Sequence, residues 1–154
     1  MKNPFKNNFI RVAAIALLLI LVSPSTASAG WGKRIADKVA ELVDYLESND
    51  ETIASIMMDQ LSTSSNTRTY TRKLYSGNEY TAVAVGDSRI NDTDLVVYRK
   101  SGGSWIQVKK DADSQNTAVV TFDCDYTGEY KFEIKAYSFK SDYTNAYFGF
   151  ILSF

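Results

Sequence analysis

The chain has 154 residues, with 17 Lys and Arg against 18 Asp and Glu, a formal charge of -1, no histidine and one cysteine. Without histidine it cannot build a Ser-His-Asp or Cys-His nucleophile or the common histidine-containing zinc sites, and Cys124 alone forms no intramolecular disulfide. A near-neutral charge with no basic stripe argues against a nucleic-acid partner.

Residues 1–29 have the layout of a secretory signal peptide. Lys2, Lys6 and Arg11 precede the apolar run Val12 to Val22, and Pro24 and the small-residue ending Ala27-Ser28-Ala29 follow it. An apolar core of about eleven residues is short of the roughly 20 that span a bilayer. No cysteine follows the run, which argues against a lipoprotein. Cleavage after Ala29 leaves a secreted or periplasmic chain with no transmembrane segment, and its 14 basic against 18 acidic residues give a formal charge of -4. Both prolines go with the leader. The remaining chain is long enough for one packed core.

Residues 31–62 are helical in pattern. Trp31, Ile35, Val39, Leu42, Val43 and Leu46 recur at spacings of three and four, with Lys33, Asp37, Lys38, Glu41 and Asp44 between them. Ser48-Asn49-Asp50-Glu51 has the spacing of a capping box, which predicts a second helix carrying Ile53, Ile56, Met57 and Leu61 on one side. The segment 30–66 is thus expected to be a helical hairpin or bent helix. It docks on the rest of the chain, or its apolar face recruits another chain, an exported partner or a second copy through residues 31–62, or lies on a membrane surface, which the sparse, unclustered basic residues disfavour.

From Thr67 the period changes to two. Seven runs read as strands: Arg68–Tyr75, Glu79–Val85, Thr93–Lys100, Ser104–Lys110, Thr117–Asp123, Tyr130–Phe139 and Tyr147–Phe154. Turn formers separate them, among them Ser76-Gly77-Asn78, Ser101-Gly102-Gly103 and Thr127-Gly128. The clearest strand places Tyr130, Phe132, Ile134 and Ala136 on one face and Lys131, Glu133 and Lys135 on the other. Short strands so regularly punctuated imply an antiparallel β-sandwich at 67–154. The closing run, with Phe148, Phe150, Leu152 and Phe154, reads as a strand of that sandwich packed on both faces, because about 87 residues cannot supply eight membrane-spanning strands of roughly 9–11 residues.

Tyr80-x-x-Val83-x-Val85-Gly86-Asp87, Asn91-Asp92-Thr93-Asp94-Leu95-Val96-Val97-Tyr98, Val120-x-Phe122, Thr127-Gly128-x-Tyr130-x-Phe132-x-Ile134 and the aromatic strand from Tyr147 succeed one another in a fixed order. Together they resemble the bacterial pre-peptidase C-terminal (PPC) domain over about residues 68–154. The resemblance implies a small jelly-roll-like sandwich without catalytic residues, of a family usually appended to exported enzymes and similar to collagen-binding modules, some of which bind calcium. It places the family's Asp-x-Asp-Leu at Asp92-Thr93-Asp94-Leu95. Only a helical segment precedes the module here, so it reads as the whole exported protein.

Two sets of side chains offer recognition chemistry. Carboxylates on alternate residues of a loop can converge on calcium with backbone carbonyls, and Asp87, Asn91, Asp92 and Asp94 form the best such cluster. Asp111/Asp113 and Asp123/Asp125 repeat the spacing, although Asp is also an ordinary turn residue. Among ten tyrosines, Tyr126, Tyr137 and Tyr143, with Trp105, offer a platform for a sugar or a protein. Cys124, next after a strand, reads as structural. The sequence therefore describes a non-enzymatic binding module for an exported protein or glycan, with calcium as its one candidate cofactor. A structural or assembly subunit that docks through its helices is the alternative.

Overall fold

The computed structural model describes residues 29–154. The leader expected at residues 1–29 lies, but for Ala29, outside the described residues. The described residues form one helix followed by eight strands in two antiparallel four-stranded sheets.

Helix α1 spans Ala29–Ser48. Ile35, Val39 and Leu46 are buried on one face, and Lys33 and Asp37 pair across one turn on the other at 2.7 Å. The helix ends where the capping box was expected to begin a new one. Asp50 takes a left-handed φ of 63°, Glu51 N donates to Leu46 O, and Asp50 N donates to Glu47 O. That pair of bonds is a Schellman C-cap. Ser48 Oγ and Asn49 Nδ2 both donate to Tyr45 O at 2.7 Å, capping the same end. Ser48 therefore closes α1 and opens no second helix.

Ile53–Ser62 is strand β1, which corrects the expected second helix. The physical reason is burial on both sides. Met57 and Leu61 face the inter-sheet core, whereas Ile53 and Ile56 pack beneath α1. With apolar residues required at both parities, the alternation that marks a strand disappears and a spacing of three and four takes its place.

The remaining strands are β2 Thr67–Leu74, β3 Glu79–Gly86, β4 Ile90–Ser101, β5 Ser104–Asp111, β6 Thr117–Asp123, β7 Gly128–Phe139 and β8 Asn145–Ser153. Sheet A has the order β1-β8-β3-β6 and sheet B the order β2-β7-β4-β5. The β4–β5 hairpin closes through Gly102 and Gly103, both at positive φ, which glycine adopts without penalty. The inner faces meet in one core that includes Tyr130, Phe132, Phe148 and Phe150, with the rings of Phe132 and Phe150 centred 5.2 Å apart.

The outer face of sheet A is covered by α1. Ile35, Val39 and Leu46 pack with Val83, Val85 and Ile151, and the central strand β8 is thus buried on both sides, as its sequence predicts. Gly149 is the notch that admits the helix, since a Cβ there would lie 2.2 Å from Val39 Cγ2. Among the described residues no helix covers the outer face of sheet B, which along β7 carries Lys131, Glu133 and Lys135, all only partly buried, and then the exposed Tyr137.

The two flanks differ. On one, Arg68 Nε pairs with Asp59 at 3.0 Å and Arg72 Nη2 donates to Ser55 Oγ at 2.9 Å, so the edge strands β2 and β1 are latched across the sheets. On the other, β5 and β6 border a hollow.

Candidate functional site

Of the four candidate metal ligands, Asp87 precedes β4 and Asn91, Asp92 and Asp94 lie on it. Asp87 is 1% exposed, and its carboxylate accepts from Arg89 N at 2.8 Å, Arg89 Nε at 3.1 Å and Tyr147 N at 2.8 Å. Arg89 is itself held, its Nη1 donating to Asn145 Oδ1 and its guanidinium lying 4.7 Å from the ring centre of Trp31. Asp87 therefore anchors the start of α1 through Arg89 and Trp31. Asn91 is exposed on β4. Asp92 and Asp94 come next on the same strand where its register against β7 shifts, and Asp94 stands opposite Lys135. Burial, then the neighbouring charge of Asp92, raises the Asp94 pKa, while Lys135 lowers it. Oδ1 of Asp92 is buried without a hydrogen-bond partner. No group of three or more His, Cys, Asp or Glu side chains able to hold a metal occurs among the described residues.

The four aromatics also divide. Tyr137 and Tyr143 both line a hollow of about 370 Å³ at the far end of β7, where the Tyr143 ring meets the edge of Trp31 at 6.1 Å. Tyr126 precedes the other end of the same strand, and nine residues from Gly128 to Tyr137 at roughly 3.4 Å each put the ends about 30 Å apart. Trp105 stands beside the β4–β5 turn, with the ammonium groups of Lys131 and Lys100 lying 5.5 and 5.9 Å from its ring centre.

At the Tyr126 end the structure assembles a site. Two hollows of about 440 and 370 Å³ share Arg99 and Tyr126 as lining residues. The larger runs under the Gly102–Gly103 turn; the smaller opens between β5 and β6 and is bordered by Gln107, Asp123, Asp125 and Tyr130. Tyr126 is 53% exposed. Its ring can lie where it does because residue 128 is glycine: a Cβ there would come within 2.3 Å of Tyr126 Cε1.

The loop carrying Tyr126 is braced from below. Tyr130 Oη donates to Tyr126 O at 3.1 Å, and Cys124 Sγ lies 3.4 Å from the same hydroxyl. Burial, reinforced by the contact with Cys124, pushes the Tyr130 pKa up to about 12, so its hydroxyl stays a donor at neutral pH. Ser76 N donates to Thr127 Oγ1 at 2.9 Å, and Gly77 N donates to Cys124 O at 3.0 Å, which ties the loop to the β2–β3 turn. Cys124 is buried. A loop held at this many points loses little entropy when a ligand arrives.

Arg99, Gln107, Asp123 and Asp125 border this space, but the register sets Gln107 opposite the outward Tyr98 and Asp123 opposite the exposed Glu79; the Arg99 side chain makes no hydrogen bond or ion pair with another described residue. Sequence pattern alone did not single out Arg99 or Gln107. A signal for Arg99 exists: it continues the inward-facing series Thr93, Leu95, Val97 on β4 and lies opposite the buried Tyr130 of β7, so a cation falls where an apolar side chain is due.

The apolar face of α1, the other candidate contact, is occupied by the chain's own sheet A. Among the described residues no helix is long and apolar enough to cross a membrane.

No protein-family model and no curated protein matches the chain. Solved structures do. A mitogen from Yersinia pseudotuberculosis matches at 16% identity with a TM-score of 0.50, over 66% of this chain and 85% of that one. The pre-peptidase C-terminal domain of a Bacillus anthracis collagenase matches at 13% identity and a TM-score of 0.48, over 64% and 87%. A periplasmic inhibitor of g-type lysozyme from Aeromonas hydrophila matches at 10% identity and a TM-score of 0.42, over 64% and 83%. At such identities the likeness is one of fold alone, a β-sandwich.

Proposed function

We propose that the chain is a non-catalytic recognition module of pre-peptidase C-terminal type that works outside the cytoplasm and binds a glycan at the Tyr126 end of the sandwich. The observation that carries this reading is the exposed Tyr126 ring on a braced loop, bordering two hollows together with Arg99, whose side chain has no hydrogen-bond or ion-pair partner among the described residues. Open hollows of this kind suit a ligand rich in hydroxyls, with the ring giving a flat surface for a sugar face. The absence of histidine from the sequence supports a binding role over catalysis. Calcium has no part in this reading, because Asp87 is engaged by Arg89 and Tyr147.

The test is equilibrium binding of the chain lacking residues 1–29 to neutral and acidic oligosaccharides, followed by protein fluorescence and calorimetry. Saturable binding that Tyr126→Ala weakens at least tenfold without moving the thermal midpoint is the expected result. Binding unaffected by Tyr126→Ala places the ligand elsewhere, and binding of no saccharide refutes the reading.

A further inference from the structure

We infer that α1 is a strap: it leaves sheet A as one unit, melting as it goes, while both sheets stay closed. The apolar outer face of sheet A is thereby covered or bared without unfolding of the sandwich, and the release needs no ligand at Tyr126.

Two apolar clusters share the burial unequally. The inter-sheet core holds 20 buried residues, and α1 supplies none of them. The helix rests instead on a second cluster, to which it gives three buried side chains, Ile35, Val39 and Leu46. Lifting it uncovers Val83, Val85 and Ile151 and leaves the core between the sheets intact. Strand β1 also stays, because it pairs along its length with β8. An element with so few buried contacts of its own opens ahead of the core strands.

Free of the sheet, α1 has little to keep it helical. Its charges run against its dipole, with no acidic residue in the first turn and no basic one in the last, where Glu47 stands. Gly30 and Gly32 fall in the first turn, and glycine is a poor helix former. A single helix with these handicaps draws its stability from docking, so undocking and melting are one event.

Both ends permit the release. At the start, the Trp31 ring lies 4.7 Å from the Arg89 guanidinium, and Lys38 Nζ donates to Gly86 O at 3.2 Å. Arg89 keeps Asp87 and Asn145 as partners when Trp31 departs, so no buried charge is stranded. At the other end, Thr52 and Phe154 exchange backbone hydrogen bonds, and Thr81 Oγ1 donates to Glu51 Oε1 at 3.2 Å. Those bonds hold the chain at the entrance to β1 and stop the opening at Asn49 and Asp50, where φ of Asp50 is 63°.

The experiment follows amide hydrogen exchange, residue by residue by NMR, in the chain lacking residues 1–29 at sub-denaturing urea. Amides from Ile35 to Leu46 converge on one rate, on the order of a hundredfold faster than those of Phe132 and Ile134 in β7. A core variant separates the two openings. Ile134→Val speeds exchange in β7 about fivefold and leaves α1 unchanged, because the closed and strap-open forms lose the same core contact. Val39→Ala speeds exchange in both α1 and β7 about tenfold, because it weakens the closed form alone. Equal rates in α1 and β7, quickened alike by Ile134→Val, would mean that α1 leaves only when the sandwich unfolds and would overturn the strap. Rates that grade from Trp31 to Leu46, each with its own urea dependence, would be fraying and would overturn it as well.

Discussion

Replacing Gly149 by alanine pushes α1 off its seat, because the new methyl group falls 2.2 Å from Val39 Cγ2. Valine has few rotamers in a helix and cannot turn aside, so the overpacking costs about 1–3 kcal/mol. The strand regains about 0.5–1 kcal/mol by exchanging glycine for alanine. The net loss is ~1 kcal/mol, several degrees in midpoint for a chain of this size. Val39→Ala alone removes two buried methyl groups, about 1.6 kcal/mol at ~0.8 for each. In the double variant no γ-carbon remains to collide, so it is more stable than the sum of the single changes by about 1–3 kcal/mol. Urea unfolding read by fluorescence measures all four proteins, and Trp31, on the first turn of α1, reports the docking directly. Independent sites add within about 0.5 kcal/mol. Additivity to that precision would refute the seating of α1 on Gly149, and with it the argument that the outer face of sheet A is closed to ligands.

Three further outcomes concern carboxylates. Asp87→Ala strands the buried Arg89 guanidinium and lowers stability by about 3–5 kcal/mol, measurable by denaturant unfolding, whereas Asp87→Ala/Arg89→Met recovers part of the loss; a cost under about 1 kcal/mol would contradict the buried pair. Asp94 has a pKa raised by burial and by Asp92, so its protonated form is the one the fold favours: its contribution is complete below the ordinary carboxylate pKa and is lost as pH rises through the raised value. Asp94→Asn therefore raises the thermal midpoint at pH 7, and the gain disappears toward pH 3. Millimolar calcium against chelator leaves the midpoint unchanged, because Asp87 is engaged elsewhere; a rise abolished by Asp92→Ala/Asp94→Ala would restore the acidic loop as a metal site.

The sequence by itself determined the strands that have one covered face and the turns between them. Tyr130 to Ala136 alternate because the core takes every second residue of β7, and the reading from Thr67 onward places all seven strands within a few residues of their positions. The Gly102–Gly103 turn was legible because positive φ selects glycine.

Features that depended on contacts distant in sequence were decided only by the tertiary structure. Strand β1 lost its alternation because the core covers one of its faces and α1 the other, so Ile53, Ile56, Met57 and Leu61 mimic a helix. Ser48 to Glu51 fit either end of a helix, and the strand pairing beyond them selected the C-cap. Asp87 is a candidate metal ligand by its spacing, and only folding brings it against Arg89 and the Tyr147 amide. The candidate aromatics looked like one platform, yet the length of β7 holds Tyr126 and Tyr137 at opposite ends. Arg99 and Tyr126 come to border the same hollows because sheet B sets β4 against β7. A local pattern records which side of a strand is dry, and partners on other strands are fixed only when the two sheets close on each other.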